Sequence, residues 1–294
     1  MAEGLYRYKP NATLAIVCAG LFGISAIIHL IVMIKRKAWF FTAFVIGAIM
    51  MTLGYIARFA SARKDTSVML YAIQSLLIIL PPSLYAATMY MIFGRLVVFV
   101  NHPSASLIRP TRVTKIFVTG DTLSFLLQAG GGGMMSISSM ANMGQTLIMV
   151  GLACQLLFFG FFLVMAITFR QRMLKSFIPK TGKYNWHSLM TILLIASGLI
   201  IARCVFRMVE FGLGRDGALM AKEAYVYIGD TLLMFLVQIM FHFRHASRVF
   251  AEPVGNVGGM KVFSTSNVEL GHVHPQGPRM LHKHDSYEPL TGPR

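Results

Sequence analysis

Apolar residues do not alternate with polar ones along this chain. They run in blocks of about twenty, with the polar residues gathered between the blocks. A block of that length crosses the hydrocarbon of a bilayer as a helix. The pattern predicts seven such spans, at residues 13–34, 38–60, 68–93, 116–138, 145–168, 187–209 and 225–243. The blocks are apolar on nearly every face, which excludes the amphipathic helices of a large soluble core. The predicted fold is all-α and polytopic: a short extracellular amino-terminal segment (1–12), a seven-helix transmembrane domain (13–243) and a disordered cytosolic tail (244–294) rich in Gly, Pro, Ser and His. The opening segment lacks the charged start, apolar run and small-residue site of a cleavable signal.

Charge supports this layout. Only 13% of residues are charged, against 55% hydrophobic, yet the net charge is +16. In a soluble protein that excess would point to nucleic acid. Here the basic residues lie mostly in short connections, so no nucleic-acid partner is expected. Loops one, three and five hold Lys35, Arg36 and Lys37, then Arg109, Arg112 and Lys115, then Arg170, Arg172, Lys175, Lys180 and Lys183. Loops two, four and six hold only Arg63, Lys64, Arg215 and Lys222. The excess on odd loops places them in the cytosol and the amino terminus outside. The glycosylation sequon Asn11-Ala12-Thr13 fits an outside terminus. Cys18, Cys154 and Cys204 fall within apolar runs, as small core residues do.

Ionisable residues inside spans are the functional candidates, because charge at membrane depth is costly. Arg203, Arg207 and Glu210 share one helix face by their spacing, and Glu223, Tyr227 and Asp230 repeat the pattern at the start of the last span. With Arg58 they lie towards the predicted outer half. They read either as a polar cavity holding an amphiphile's head group or as a buried ion-pair network joining the sixth and seventh spans. The fourth span adds Asp121, Ser124 and Gln128 on one stripe, continued by Gly130 to Gly133. Four consecutive glycines cost a helix about 1 kcal/mol each, so they serve close packing or local unwinding. A third stripe comprises Gln74, Pro81, Tyr85, Thr88 and Arg95. Pro81-Pro82 should kink or loosen the third span, and Arg95 is placed to reach lipid phosphates.

Enzyme chemistry finds little support. No phosphate-cradling loop is present, so no ATP-driven cycle is expected. His29, His187 and His242 stand far apart in sequence. His242 and His245 find no third ligand for a zinc hydrolase. The tail residues His272, His274, His282 and His284 read as incidental. No cofactor and no metal are predicted.

The stretch from Lys115 to Gly133, KIFVTGDTLSFLLQAGGGG, resembles the signature of the fungal lipid-translocating exporter family. These seven-span proteins are related to the 7-aminocholesterol-resistance protein and include sphingoid long-chain-base exporters and a porphyrin transporter. Further matches are Gly54-Tyr55 with Arg58; Pro82 with Tyr90 and Gly94-Arg95; then Arg203, Phe206-Arg207, Glu210, Gly217, Glu223, Tyr227 and Asp230. Met51 stands where the family often has a Glu, so Arg58 must pair elsewhere. The resemblance implies a plasma-membrane protein that moves, or confers tolerance to, amphipathic molecules. The leading expectation is an ATP-independent translocator of lipids or toxic amphiphiles. Its substrate site would comprise Asp121, Ser124, Gln128, Arg203, Arg207, Glu210, Glu223, Tyr227, Asp230 and Arg58. Its partners would be membrane lipids and an amphipathic small molecule. The alternatives are a receptor-like sensor whose basic loops dock a cytosolic partner and an intramembrane lipid hydrolase.

Overall fold

The computed structural model describes residues 11–63, 68–100, 106–107, 110–135, 137–175, 186–213, 223–243, 246, 256–257 and 260–261. Most of the predicted tail, its four histidines and the basic residues Lys64, Arg109, Lys180, Lys183, Arg215 and Lys222 lie outside the described residues.

Helix α1 (Ala12–Lys35) starts at Asn11, whose side-chain oxygen accepts the N–H of Leu14 at 3.1 Å. It ends with Lys37 in the left-handed region at φ 50°, where the N–H of Ala38 reaches back to the Met33 carbonyl and that of Lys37 to the Ile34 carbonyl. A 3-10 turn (Trp39–Phe41) leads into α2 (Thr42–Arg63). Then come α3 (Val68–Ile79), α4 (Pro81–Phe99), α5 (Pro110–Met135), a 3-10 turn (Ser138–Met140), α6 (Ala141–Lys175) and α7 (Trp186–Gly212). The last span, Glu223–Phe243, is assembled from α8 (Glu223–Val226), a π-helical turn (Tyr227–Leu232) and α9 (Leu233–Phe243). In the tail, β1 (Asn256–Val257) pairs antiparallel with β2 (Met260–Lys261).

Six of these stretches are long and apolar enough to cross a membrane: Ala12–Lys35, Trp39–Arg63, Met69–Phe99, Ala141–Lys175, Trp186–Gly212 and Glu223–Phe243. The chain is thus an all-α, multi-pass membrane protein. The remaining long helix, α5, corresponds to the predicted fourth span. Arg112, Lys115, Asp121, Gln128 and the glycine run dilute its apolar content. Its carboxyl end is Met135, short of the predicted 138, and it reaches back to Pro110, so Arg112 and Lys115 ride on its first turns. Likewise α6 extends well past the predicted 145–168 and carries Arg170, Arg172 and Lys175. Arg and Lys are good helix formers, so a basic flank continues a helix readily. At 1.5 Å per residue α6 is about 52 Å long, more than the hydrocarbon thickness.

Helix α4 is the centre of the bundle, in contact with α2, α5, α6 and α7. Around it α1 packs on α2 and α9, α5 on α6, and α7 on both α6 and α9. Its inward residues Tyr90 and Phe93 meet Phe162 of α6 edge to face, at ring separations of 4.7 and 5.6 Å. Outward-facing residues are equally apolar: Ile24, Leu126 and Leu157 are at least 60% exposed, as lipid contact allows.

The glycine run does not unwind α5. A Cβ on Gly131 would meet the Gly144 carbonyl of α6 at 2.6 Å, and one on Gly151 would meet Gln128 Cγ at 2.8 Å. Glycine here permits backbone-to-backbone approach of α5 and α6, so close packing is its use.

Candidate functional site

The site begins with two prolines. In a continuous helix the Ile78 carbonyl would accept the N–H of residue 82, but Pro82 has none. The Ile79 carbonyl would accept that of Ser83, but Ser83 donates to Leu80 instead, at 3.1 Å. The third span therefore breaks at Leu80: Pro81 likewise denies the Leu77 carbonyl its donor, and the Ile78 and Ile79 carbonyls, both of buried residues, are left in need of donors. Arg203 of α7 supplies them. Its guanidinium donates to the Ile78 carbonyl at 3.0 Å and the Ile79 carbonyl at 3.4 Å. Arg203 is fully buried, and its Nε donates to Asp230 Oδ1 at 2.6 Å.

Asp230 is equally buried and accepts from two arginines, since its Oδ2 also pairs with Arg207. Arg207 in turn reaches Glu210, one turn on, at 2.9 Å. Asp230 lies within the π-helical turn, a rare geometry that often marks functional sites. Gly229 beside it has no room for a side chain: a Cβ there would fall 2.5 Å from the Phe206 ring of α7. The turn and its glycine thus bring the last span close enough for Asp230 to sit between both arginines.

A second set of pairs begins about two turns earlier on the last span. Arg58 donates to Glu223 at 3.0 Å and to the Tyr227 hydroxyl at 3.3 Å. The other oxygen of Glu223 accepts the backbone N–H of Asn11 at 2.9 Å, tying the start of α1 to the start of the last span. The Tyr55 hydroxyl hydrogen-bonds Thr231. Three cations and three anions are thus gathered at one end of the bundle and neutralise one another. Buried pairs of this kind hold only when geometry and extra hydrogen bonds offset desolvation, as they do here.

The α5 stripe is separate. Asp121 Oδ2 accepts from the Tyr90 hydroxyl at 2.8 Å, while Oδ1 is buried without a hydrogen-bond partner. Ser124 donates to Gly120 of its own helix at 3.0 Å. The Gln128 amide donates to Gln155 of α6 at 2.8 Å.

A family model described as "RTA1 like protein" matches residues 44–253, well over half of the chain. The chain belongs to the RTA1-like family. Among its relatives is Protoporphyrin uptake protein 1 of Saccharomyces cerevisiae, 39% identical over 203 residues, which cover 68% of this chain and 67% of the relative. Protein RTA1 of the same yeast is 34% identical over 264 residues, 81% of this chain and 83% of the relative. The Sphingoid long-chain base transporter RSB1, again from Saccharomyces cerevisiae, is 25% identical over 308 residues, 91% of this chain and 77% of the relative. No solved structure matches the chain.

Within this RTA1-like bundle, the expected members Arg58, Arg203, Arg207, Glu210, Glu223, Tyr227 and Asp230 come together at one end. Asp121, Ser124 and Gln128 share a face of α5 but no hydrogen bond with that group. Arg58 finds its partner in Glu223, which removes the need for an acid at Met51, a fully buried position. The third stripe does not face one site. Tyr85 accepts from Gln238 at 2.6 Å, Thr88 bonds its own helix at the Leu84 carbonyl, and Arg95 lies over the Phe40 ring at 4.6 Å rather than reaching out to phosphates. Sequence reasoning missed the pairing of His29 with His242. Their rings stack at 3.8 Å, with Ser25 on His242 at 2.8 Å. It also missed Gln155, a lone amide in an apolar run, and that isolation was the available signal. Among the described residues, no three His, Cys, Asp or Glu are grouped to hold a metal.

Proposed function

We propose that this chain is an ATP-independent translocator of lipids or other amphiphiles that does not chemically alter its cargo. One observation carries the reading: a charged network set in an apolar bundle, with Arg203 and Asp230 fully buried at its centre, within a family that includes a protein named as a sphingoid long-chain base transporter. Charges that pair with one another across two helices can exchange partners with a zwitterionic or cationic head group while its tail stays in lipid. Arg203 and Arg207 would meet an anionic group, and Glu210, Glu223, Asp230 and Asp121 a cationic one. Arg58, Tyr227, Ser124 and Gln128 complete the polar lining. The reading includes α5 as a seventh span, an amino terminus outside, a carboxyl tail in the cytosol and residence in the plasma membrane. The loop-charge asymmetry supports the span count and the orientation.

The test is reconstitution in liposomes with a fluorescent long-chain base and a fluorescent phospholipid. Wild type moves at least one above the protein-free rate, and Arg207→Ala lowers that rate at least tenfold while remaining folded by circular dichroism. If neither lipid moves, the reading is wrong.

A second reading has its own support. Helix α6 projects Arg170, Arg172 and Lys175 beyond a bilayer's thickness, a rigid basic flank on which a cytosolic partner could dock. This would make the chain a receptor-like sensor, and ligand-dependent proximity labelling of a cytosolic protein would favour it.

A further inference from the structure

The charges at the end of the bundle cancel, but one buried acid does not share in that balance. Asp121 stands near the middle of the 26-residue α5 and is only 2% exposed. Glu210, Glu223 and Asp230 each pair with an arginine, whereas no ion pair reaches Asp121 among the described residues. The groups facing it are neutral ones. From α4 comes the Tyr90 hydroxyl on Oδ2, and from α7 the Cys204 thiol lies within electrostatic reach. Helix α6 meets the same face of α5 through Phe158 at Gly120 and Gly151 at Ser124 and Gln128, while α3 meets it through Leu76 at Gly132. Oδ1 is buried with no partner. Two turns along that face, Gln128 Oε1 and Gln155 Nε2 are also buried without partners. A bare carboxylate at this depth is the most costly state available to the side chain. Two species relieve it: a proton on Oδ1, or an ammonium group beside it.

We infer that Asp121 is an exchange site that holds either one proton or the ammonium group of a cationic amphiphile, never both, so that the amphiphile and a proton move in opposite directions. The inference rests on the translocator reading and adds its cargo charge and its coupling ion. Arrival of the ammonium group expels the proton from Oδ1 to water, and departure of the ammonium lets a proton return. Charge in the bundle is the same in both states, so neither state leaves an uncompensated anion. Tyr90 keeps Oδ2 occupied throughout and directs both ligands to Oδ1. The end-of-bundle acids differ in what a departing head group leaves behind: each returns to its arginine, so contact there is not coupled to a proton.

Two measurements on the full-length protein test this. The first uses dodecyltrimethylammonium, a permanent cation that a pH gradient cannot trap by deprotonation. In proteoliposomes with the membrane potential clamped at zero, a one-unit pH difference drives about tenfold accumulation of the probe by wild type. Asp121→Asn abolishes the accumulation. The second is infrared difference spectroscopy of the protein in nanodiscs. Wild type at neutral pH shows a protonated-carboxyl band that is absent in Asp121→Asn, and dodecyltrimethylammonium removes the band while dodecanol does not. Absence of that band, or its persistence with the cation, overturns the inference whether or not transport occurs. Wild-type flux that ignores the pH gradient overturns the coupling while leaving translocation intact. Failure to move any lipid, with the band behaving as described, sinks the translocator reading and leaves the exchange site standing.

Discussion

At the scale of single residues, Arg203 shows how one side chain answers two demands. It neutralises Asp230 and supplies the donors that Pro82 and the Ser83 rearrangement took from Ile78 and Ile79. Breaking a buried pair from one side strands a charge and costs about 3–5 kcal/mol. Asp230→Leu is expected to destabilise the protein by that amount in thermal unfolding followed by tryptophan fluorescence. Replacing both partners by apolar residues usually restores such a loss. Here Arg203→Met with Asp230→Leu should recover only part of it, because two buried carbonyls then lack donors, each at about 1–3 kcal/mol, and Arg207 keeps only Glu210. Full recovery in the double variant would show that the carbonyl bonds contribute nothing. The arginines and their acids were legible in the sequence, because charges three and four apart in an apolar run must share a face. The carbonyl acceptors were not. They come from the backbone of a distant helix, and nothing in local spacing joins Arg203 to a break at Leu80.

At the scale of helices, glycines in one run have opposite roles. Gly131 meets the Gly144 backbone, and that carbonyl cannot step aside. Gly131→Ala should therefore push α5 from α6 and cost about 1–3 kcal/mol. Gly133 is exposed, and a Cβ added there would meet nothing within 4 Å, so Gly133→Ala should raise stability by about 1 kcal/mol through helix propensity alone. Paired melting curves in one detergent check both, and equal signs would refute the packing account. The sequence located the run but left its use open between packing and unwinding. That choice belongs to α6, whose Gly144 and Gly151 lie opposite. The same limit applied to the third span: tandem prolines marked a disturbance, and the two helices it separates became visible only in three dimensions.

At the scale of the whole molecule, the blocks of apolar sequence marked out the spans because a bilayer requires long apolar helices whatever their packing. Which faces meet was not legible, since uniformly apolar helices carry little amphipathic signal. His29 and His242 stack although 213 positions separate them in the chain, as the first and last spans are neighbours in the ring. The π-helical turn has a consequence for the whole bundle. Such a turn accommodates one residue more than an α-helix would over the same path. The last span therefore carries a spare position, and removing Ile228 should let it close into an unbroken α-helix with the face of α9 unchanged. A deletion elsewhere, such as Leu199 in α7, instead rotates every later residue of its helix by about 100°. The first variant is expected to elute as a single species in size-exclusion chromatography yet fail in transport, and the second to aggregate. Construction and activity would then be separable by a single codon.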